Sequence, residues 1–469
     1  MSEKISPELD YSPVVSNHST AVFRTISPQG ANSVTTSTAP VGPVELIIPP
    51  SCFRFNKSRL NFNIVVPGLA SNNTVINANM LTAISRITLY DSATNALWAD
   101  ISNVNNYASL VVPAATDFKE YSTKSWSSTT PVTATTNAAA ITAAQVVTVE
   151  DIQKSNLAAG ATNNLNGASV SMSTQNPFFS RRQFFISANS ATANLNTISV
   201  DVSIPLSAFK LSVLSSEKLM YCPSNLVLQV YFNGSSNFAF TVTDASTSMT
   251  TGAAAITTAN TPIISNISLT LCNEGNLAIV SQVINKVMTS GISLPIAYPT
   301  VTKQSISASN AHSYQLSLTR GYGQRILALI TAPFSKVNST AQANQHARGD
   351  LATYNTFLNN VAIKSQNGFD VTKSQDYIQA NREYLEDSVI QTLGEYLTGE
   401  WVHIDSFFGE KPIKDVDQHQ VDGLDVGAQS STWQIQANLT SGTSTAYDWT
   451  SIIVGQKVLS ISNQGSLVQ

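Results

Sequence analysis

Between Ile198 and Phe232 apolar and polar residues alternate with little interruption. Ile198, Val200, Val202, Ile204 and Leu206 are apolar, and Ser199, Asp201, Ser203, Pro205 and Ser207 lie between them. A period of two sets one face of a strand in a core and the other in water or against a neighbour. After a linker the pattern resumes at Leu226, Leu228, Val230 and Phe232. The same alternation occurs at Leu60, Phe62, Ile64 and Val66, at Tyr314, Leu316 and Leu318, and at Trp433, Ile435, Ala437 and Leu439. The chain therefore reads as a β protein with many half-buried strands.

Further strands are predicted at Val44–Ile48, Arg182–Ile186, Gln324–Ile330 and Trp401–Phe407, and another through Ile267, Leu269 and Leu271. Arg86–Tyr90 and Ala96–Ile101 flank the turn Asp91–Asn95 and predict a hairpin. Two helices interrupt the strands. In Asn273–Ser290, with Asn273 as N-cap and Gly291 past the end, Leu277, Val280, Ile284, Val287 and Met288 share a face. In Asp376–Leu397 the face is Tyr377, Leu385, Val389, Leu393 and Tyr396, behind a capping-box spacing of Thr372 and Gln375. Both stripes read as core-facing. Mostly strands with inserted helices suits β-sandwich domains better than βαβ units.

The organisation that follows is an extended N-terminal arm over 1–40 and a first domain over 41–240. A Thr/Ala/Ser/Asn-rich surface insertion occupies 122–173 of that domain, a low-complexity linker spans 241–261, and a second domain covers 262–469. The arm is expected to order only on assembly.

The chain is 469 residues long, which favours two domains. Charged residues make up only 12%, against a usual ~25%. Ser, Thr, Asn and Ala fill the surface instead, and such side chains are easier to satisfy in repeated contacts with copies of the same chain. A net charge of −4 argues against a whole-chain nucleic-acid binder. Cys52, Cys222 and Cys272 are widely spaced and odd in number, and read as buried thiols of a reducing compartment. Met1–Tyr11 has no apolar core of a signal peptide, and no apolar run reaches the ~18 residues of a membrane span. The chain is expected to be soluble when made.

Candidate chemistry is sparse. His403 and Asp405 lie two apart on a predicted strand with Trp401 and Phe407, so a metal pair or general base is conceivable; a hydrogen-bonded pair at a subunit contact is the better reading, since no third ligand shares the strand. Asp415, Asp417, Asp422 and Asp425 cluster in a Gly-containing loop but lack EF-hand spacing, so a solvated loop is preferred to an ion site. Arg348-Gly349-Asp350 matches an integrin-ligand string too short to carry weight. Gly321-Tyr322-Gly323 lacks the helix start of a phosphate loop and reads as a turn, and Arg181-Arg182 falls short of a basic patch. Glu383, Glu386 and Asp387 fall on a predicted helix as a solvated face, not as the paired carboxylates of a glycosidase. Hence no catalytic, cofactor or metal residue is assigned, and an enzyme is not expected.

In their order along the chain, several segments resemble the double jelly-roll major capsid proteins of tailless icosahedral DNA viruses and phages, the lineage of the adenovirus hexon. VELIIPPSCFRFNKSRLNFNIVV (Val44–Val66) resembles the family's opening strand pair, and RITLYDSATNALWADISNVNNYASLV (Arg86–Val111) the hairpin and helix that follow. VDVSIPLSAFKLSVLSSEKLMYCPSNLVLQVYF (Val200–Phe232) resembles the end of the first barrel. YQLSLTRGYGQRILALITAPF (Tyr314–Phe334) and REYLEDSVIQTLGEYLTGEWVHIDSF (Arg382–Phe407) resemble parts of the second.

This resemblance implies an all-β chain of two jelly-roll barrels. It implies homotrimers with a pseudo-hexagonal outline that tile a virion shell beside neighbouring capsomers and minor capsid or penton proteins. It also implies synthesis in the host cytoplasm and, in some relatives, an internal membrane touched by the N-terminal arm. The alternative from another class is a carbohydrate-binding or adhesive β-sandwich, which the scattered Trp98, Trp126, Trp401, Trp433 and Trp449 do not favour.

Overall fold

The computed structural model describes residues 19–36, 39–69, 73–77, 80–115, 145–148, 183–186, 197–242, 253–254, 260–307, 309–335, 351–366, 403–407, 423–427, 429–439 and 446–469. Among them lie five antiparallel sheets. Four of these pair into two sandwiches.

In the first sandwich one sheet runs Ala21–Ile26, Ile263–Glu274, Cys52–Val66, Ile198–Pro205. Its partner sheet runs Val41–Ile48, Leu226–Phe232, Ile84–Asp91, Leu97–Ser102. The alternation read from the sequence is the alternation of burial. Leu60, Phe62, Ile64 and Val66 are buried, and Asn61, Asn63 and Val65 between them are half-exposed. Val200, Val202 and Ile204 lie on the adjoining strand, where Val202 pairs with Phe62. The two sheets meet where Phe62 and Phe232 pack edge to face with centroids 5.4 Å apart. Each such fully buried side chain stabilises by about 1.5–3 kcal/mol. The two strands of the Ile198–Phe232 stretch thus belong to opposite sheets, and the linker between them turns the chain across the core.

The second sandwich has the same plan. One sheet runs Ile292–Ile306, Tyr447–Ser462, Arg325–Ser335, His403–Ser406, and the other Ala311–Leu318, Ser431–Leu439, Leu351–Leu358, Val361–Gln366. Ala311–Leu318 alternates strictly, with His312, Tyr314, Leu316 and Leu318 inward. Tyr314 stacks on Trp449 of the facing sheet, with centroids 5.8 Å apart and planes 21° apart. The fifth sheet is built from Ala253–Ala254, Ala239–Val242, Asn73–Asn77, Gln183–Ile186 and Gln145–Thr148. The last of these strands is the part of the 122–173 insertion that is described.

Four expectations need correction. Ile263–Glu274, placed at the start of the second domain, pairs with Cys52–Val66 and completes the first sandwich. Ala21–Ile26, expected to order only on assembly, is already a strand of the isolated chain, paired residue for residue with Leu269–Glu274. Ser33–Thr35 pairs farther along the same strand. The helix begins at Leu277 and not at Asn273: Asn273 remains in the sheet, and Asn276 is the cap, its side chain accepting from the Ala278 N–H at 3.0 Å. Its apolar stripe is not core. Val287 is buried, but Leu277 is 79% and Met288 45% exposed, because the helix crosses the surface between the two sandwiches. The predicted helix Asp376–Leu397 lies outside the described residues.

Candidate functional site

The sequence candidates do not converge. Trp401, Arg181-Arg182, Arg348-Gly349-Asp350, Glu383, Glu386, Asp387, Asp415, Asp417 and Asp422 lie outside the described residues, and Asp425 is exposed on a short strand paired with Arg325. Among the described residues no group of three or more His, Cys, Asp or Glu side chains could hold a metal ion. No described helix is long and apolar enough to cross a membrane. Cys52, Cys222 and Cys272 are buried free thiols. Burial, with Glu274 nearby, pushes Cys52 up to about 11 and so away from reactivity.

His403 and Asp405 do form a pair, but inside the second sandwich and not at its surface. His403 Nε2 lies 3.2 Å from Asp405 Oδ2, and the same oxygen accepts the Trp433 indole N–H at 2.7 Å. Both residues are at most 1% exposed, so no substrate reaches them. The pair is a buried polar knot in an aromatic core, bonded through His403 Nε2 and Asp405 Oδ2. Gly321-Tyr322-Gly323 is the tight turn expected. It lies so close to Gly455 that a Cβ there would stand 1.9 Å from the Tyr322 carbonyl oxygen.

The most elaborate polar site joins the two sandwiches. Asp91, at the hairpin turn of the first, is fully buried. Its Oδ2 accepts the Ser466 N–H at 2.8 Å and the Ser466 hydroxyl at 2.7 Å, both from the C-terminal strand of the second. Its Oδ1 accepts the Ala93 N–H at 2.9 Å and the Ser224 hydroxyl. Burial alone would raise this carboxyl, but the hydroxyls of Ser224 and Ser466 and the N–H groups of Ala93 and Ser466 outweigh it and hold the group below the usual range. Trp98 Nε1 donates to Ser466 Oγ at 2.7 Å, so the hydroxyl is satisfied in both roles.

Helix Val104–Ala115 extends this seam. Val104, Tyr107, Ala108, Leu110 and Val111 are all buried, as befits a helix enclosed on most sides, and Asn106 donates across to Thr450 Oγ1 at 3.1 Å. Farther along, Arg86 grips Asp100 with two bonds of 2.7 Å. Nearby, Lys457 of the second sandwich stands 3.7 Å above the Tyr298 ring centroid. Burial, reinforced by the Asp100 charge, pushes the Tyr298 hydroxyl well up, and burial lowers Lys457.

A second knot fixes the N-terminal strand. Glu274 Oε2 accepts the Ser19 hydroxyl at 2.5 Å and lies 3.4 Å from Arg54, while Oε1 accepts the Thr20 N–H at 2.7 Å and the Asn276 N–H at 3.0 Å. One carboxylate thus ties the chain's entry, the first sheet and the helix start together. Burial opposes its ionisation, but these donors, led by the Ser19 hydroxyl, hold it down to about 2. Sequence reasoning missed Asp91, Glu274 and Ser466, because nothing near them in the chain marks a partner about 250 to 375 residues away.

No family model matches the sequence, and no curated protein sequence matches it significantly. Solved structures do match in fold. The Faustovirus major capsid protein superimposes with a TM-score of 0.55 at 10% identity, over 98% of this chain and 93% of that one. A chain of the Sputnik virophage gives 0.53 at 12% identity, over 100% and 93%. The mavirus major capsid protein gives 0.52 at 9% identity, over 99% and 95%. The two sandwiches are therefore the two jelly rolls of the all-β double jelly-roll fold.

Proposed function

We propose that the chain is the major capsid protein of an icosahedral DNA virus, a structural subunit that works by shape and not by chemistry. The observation that carries this reading is the pairing of two jelly rolls in one chain, matched over nearly the whole length of both chains by the mavirus and Faustovirus major capsid proteins. The seam at Asp91, Trp98 and Ser466 supports it, since a tile needs a fixed outline.

In this reading three copies form a trimer with a pseudo-hexagonal outline, because each chain brings two similar barrels. Trimers then tile the virion shell beside other capsid proteins. The outward face of the sheet Ala311–Leu318, Ser431–Leu439, Leu351–Leu358 carries Ser313, Gln315, Ser317, Gln436 and Asn438, all uncharged and exposed. Such a face makes many individually modest contacts that symmetry multiplies, without desolvating charges. No specific nucleic-acid contact is part of the proposal.

Light scattering of the purified protein, with negative-stain images of the same peak, tests it. A particle of three chain masses with a hexagonal outline is expected. A monodisperse monomer at high concentration would overturn the proposal and leave the glycan-binding alternative, to be read on a glycan array.

A further inference from the structure

We propose that the second jelly roll is acid-responsive, with His312 as its sensor. His312 points into the core from the strand Ala311–Leu318 and is 3% exposed. Its Nδ1 lies 2.8 Å from Trp449 Nε1, and its Nε2 lies 2.8 Å from the Ser309 carbonyl oxygen. An indole N–H can only donate, so Nδ1 must present its lone pair. A carbonyl oxygen can only accept, so Nε2 must carry the hydrogen. The surroundings therefore fix one neutral tautomer and leave the imidazolium no place: a proton on Nδ1 would face the indole N–H head on, and one of the two rings must move.

What moves is not local. His312 lies edge-on to Tyr447 with centroids 5.2 Å apart and 6.0 Å from Trp449. Trp449 stacks on Tyr314 at 5.8 Å, and Tyr314 packs on Trp433 at 6.1 Å. His403 and Tyr354 continue the row, with spacings of 6.3 and 5.0 Å. These rings come from both sheets of the second roll, so displacing Trp449 loosens the contact that holds the sheets together.

Among the described residues the titratable groups facing the imidazole are Tyr447 and, one ring farther, Tyr314. The charge on the adjacent strand, Asp448, is turned away, accepting the Ser305 hydroxyl at 2.6 Å on the exposed side, and Lys303 is exposed. Burial lowers the proton affinity of His312 and the Ser309 carbonyl offsets part of this. A histidine whose folded-state affinity is depressed stabilises fully above the ordinary imidazole pKa of about 6.5, and that stability declines as the pH falls below it. Among the described residues the other histidine is His403, also in the second roll, so the first roll contains no described histidine.

Hydrogen exchange on the intact purified chain, corrected for the intrinsic pH dependence of exchange, tests this at pH 7.5 and 5.5. Expected is opening of 311–318 and 447–454 that rises severalfold, up to about tenfold for one pH unit below 6.5, while 60–66 and 226–232 change less than about twofold. His312→Asn keeps an acceptor toward Trp449 but cannot titrate, and should abolish the rise. Trp449→Phe removes the opposing N–H and should shrink it, which keeps the proposal testable if the first variant does not fold. An undiminished rise in both variants, or equal opening of both rolls, would overturn it. The readout is on the subunit, so it stands apart from whether the chain builds a shell; in such a shell the acid response would loosen the second roll first.

Discussion

Asp91 and Ser466 stand 375 positions apart in the chain and are joined twice, Oδ2 accepting both the backbone N–H and the hydroxyl of Ser466. The bonds hold the last strand of one jelly roll against the first hairpin of the other. They are buried and charge-assisted, the stronger class of hydrogen bond. Asp91→Ala is expected to destabilise the protein by about 3 kcal/mol, since it also strands the donors of Ser224 and Ser466. Ser466→Ala, which keeps the backbone bond, should cost about half that. Urea denaturation of both variants checks the order; equal and negligible losses would show that the seam adds nothing to stability.

Gly465 makes the same seam a matter of space. Its φ is +110°, and a Cβ would stand 2.7 Å from Thr94 Cγ2 and 3.1 Å from Asp91 Oδ2. Gly465→Ala should therefore lift the C-terminal strand off the hairpin, at a cost on the order of 1–3 kcal/mol from strain and overlap. Protease sensitivity of the C-terminus reports it: rapid trimming is expected, and a wild-type digestion pattern would contradict the close fit.

Glu274 predicts an acid transition at the N-terminal strand. Its carboxyl is held at about 2 in the folded chain, against an ordinary 4.5. The unfolded state therefore binds more protons between these values. The stability Glu274 contributes is complete above 4.5, and it is lost progressively as the pH falls from there toward 2. Exchange at residues 21–26 should rise over this window, and Glu274→Gln should show the same loosening already at pH 7. Unchanged protection in that variant would place the anchor elsewhere.

Trp433 donates to Asp405 inside the second roll, at 2.7 Å. Trp433→Phe keeps much of the aromatic volume but removes the N–H, so a loss of about 1–3 kcal/mol is expected from the under-satisfied carboxylate. A thermal melt within a degree of wild type would mean that water or another donor replaces it.

The helix Leu277–Ser290 gives the opposite expectation. With Leu277 79% and Met288 45% exposed, Leu277→Lys and Met288→Lys should leave the stability of the isolated chain within about 0.5 kcal/mol. A core stripe would lose several times more. The same pair of substitutions is informative in an assembly assay, where lost particle formation would show that a partner covers the face.

Much of the architecture was legible in the chain. A period-two pattern has one explanation at the scale of a strand, so Leu226–Phe232 and the Arg86–Tyr90 hairpin are where alternation and turn chemistry place them. Alternation also names the inward residues, from Phe62 to Trp433. It is silent about partners. Ile263–Glu274 alternates equally well in either roll, and only its pairing with Cys52–Val66 assigns it to the first. A helical stripe likewise says which residues share a face and not whether anything covers it, so the stripe of Leu277 and Met288 reads as core in the chain and is exposed in the fold. The seam was the least legible part. In the chain Asp91 reads as the first residue of a turn, and no local pattern singles out Ser466. The sequence by itself determined the strands, their inward faces and the charge-poor surface, because each is set by neighbours within a few residues. Tertiary structure alone decided which strands pair across the fold, how the two rolls are locked and which ring His312 faces, because those depend on contacts between positions more than a hundred residues apart.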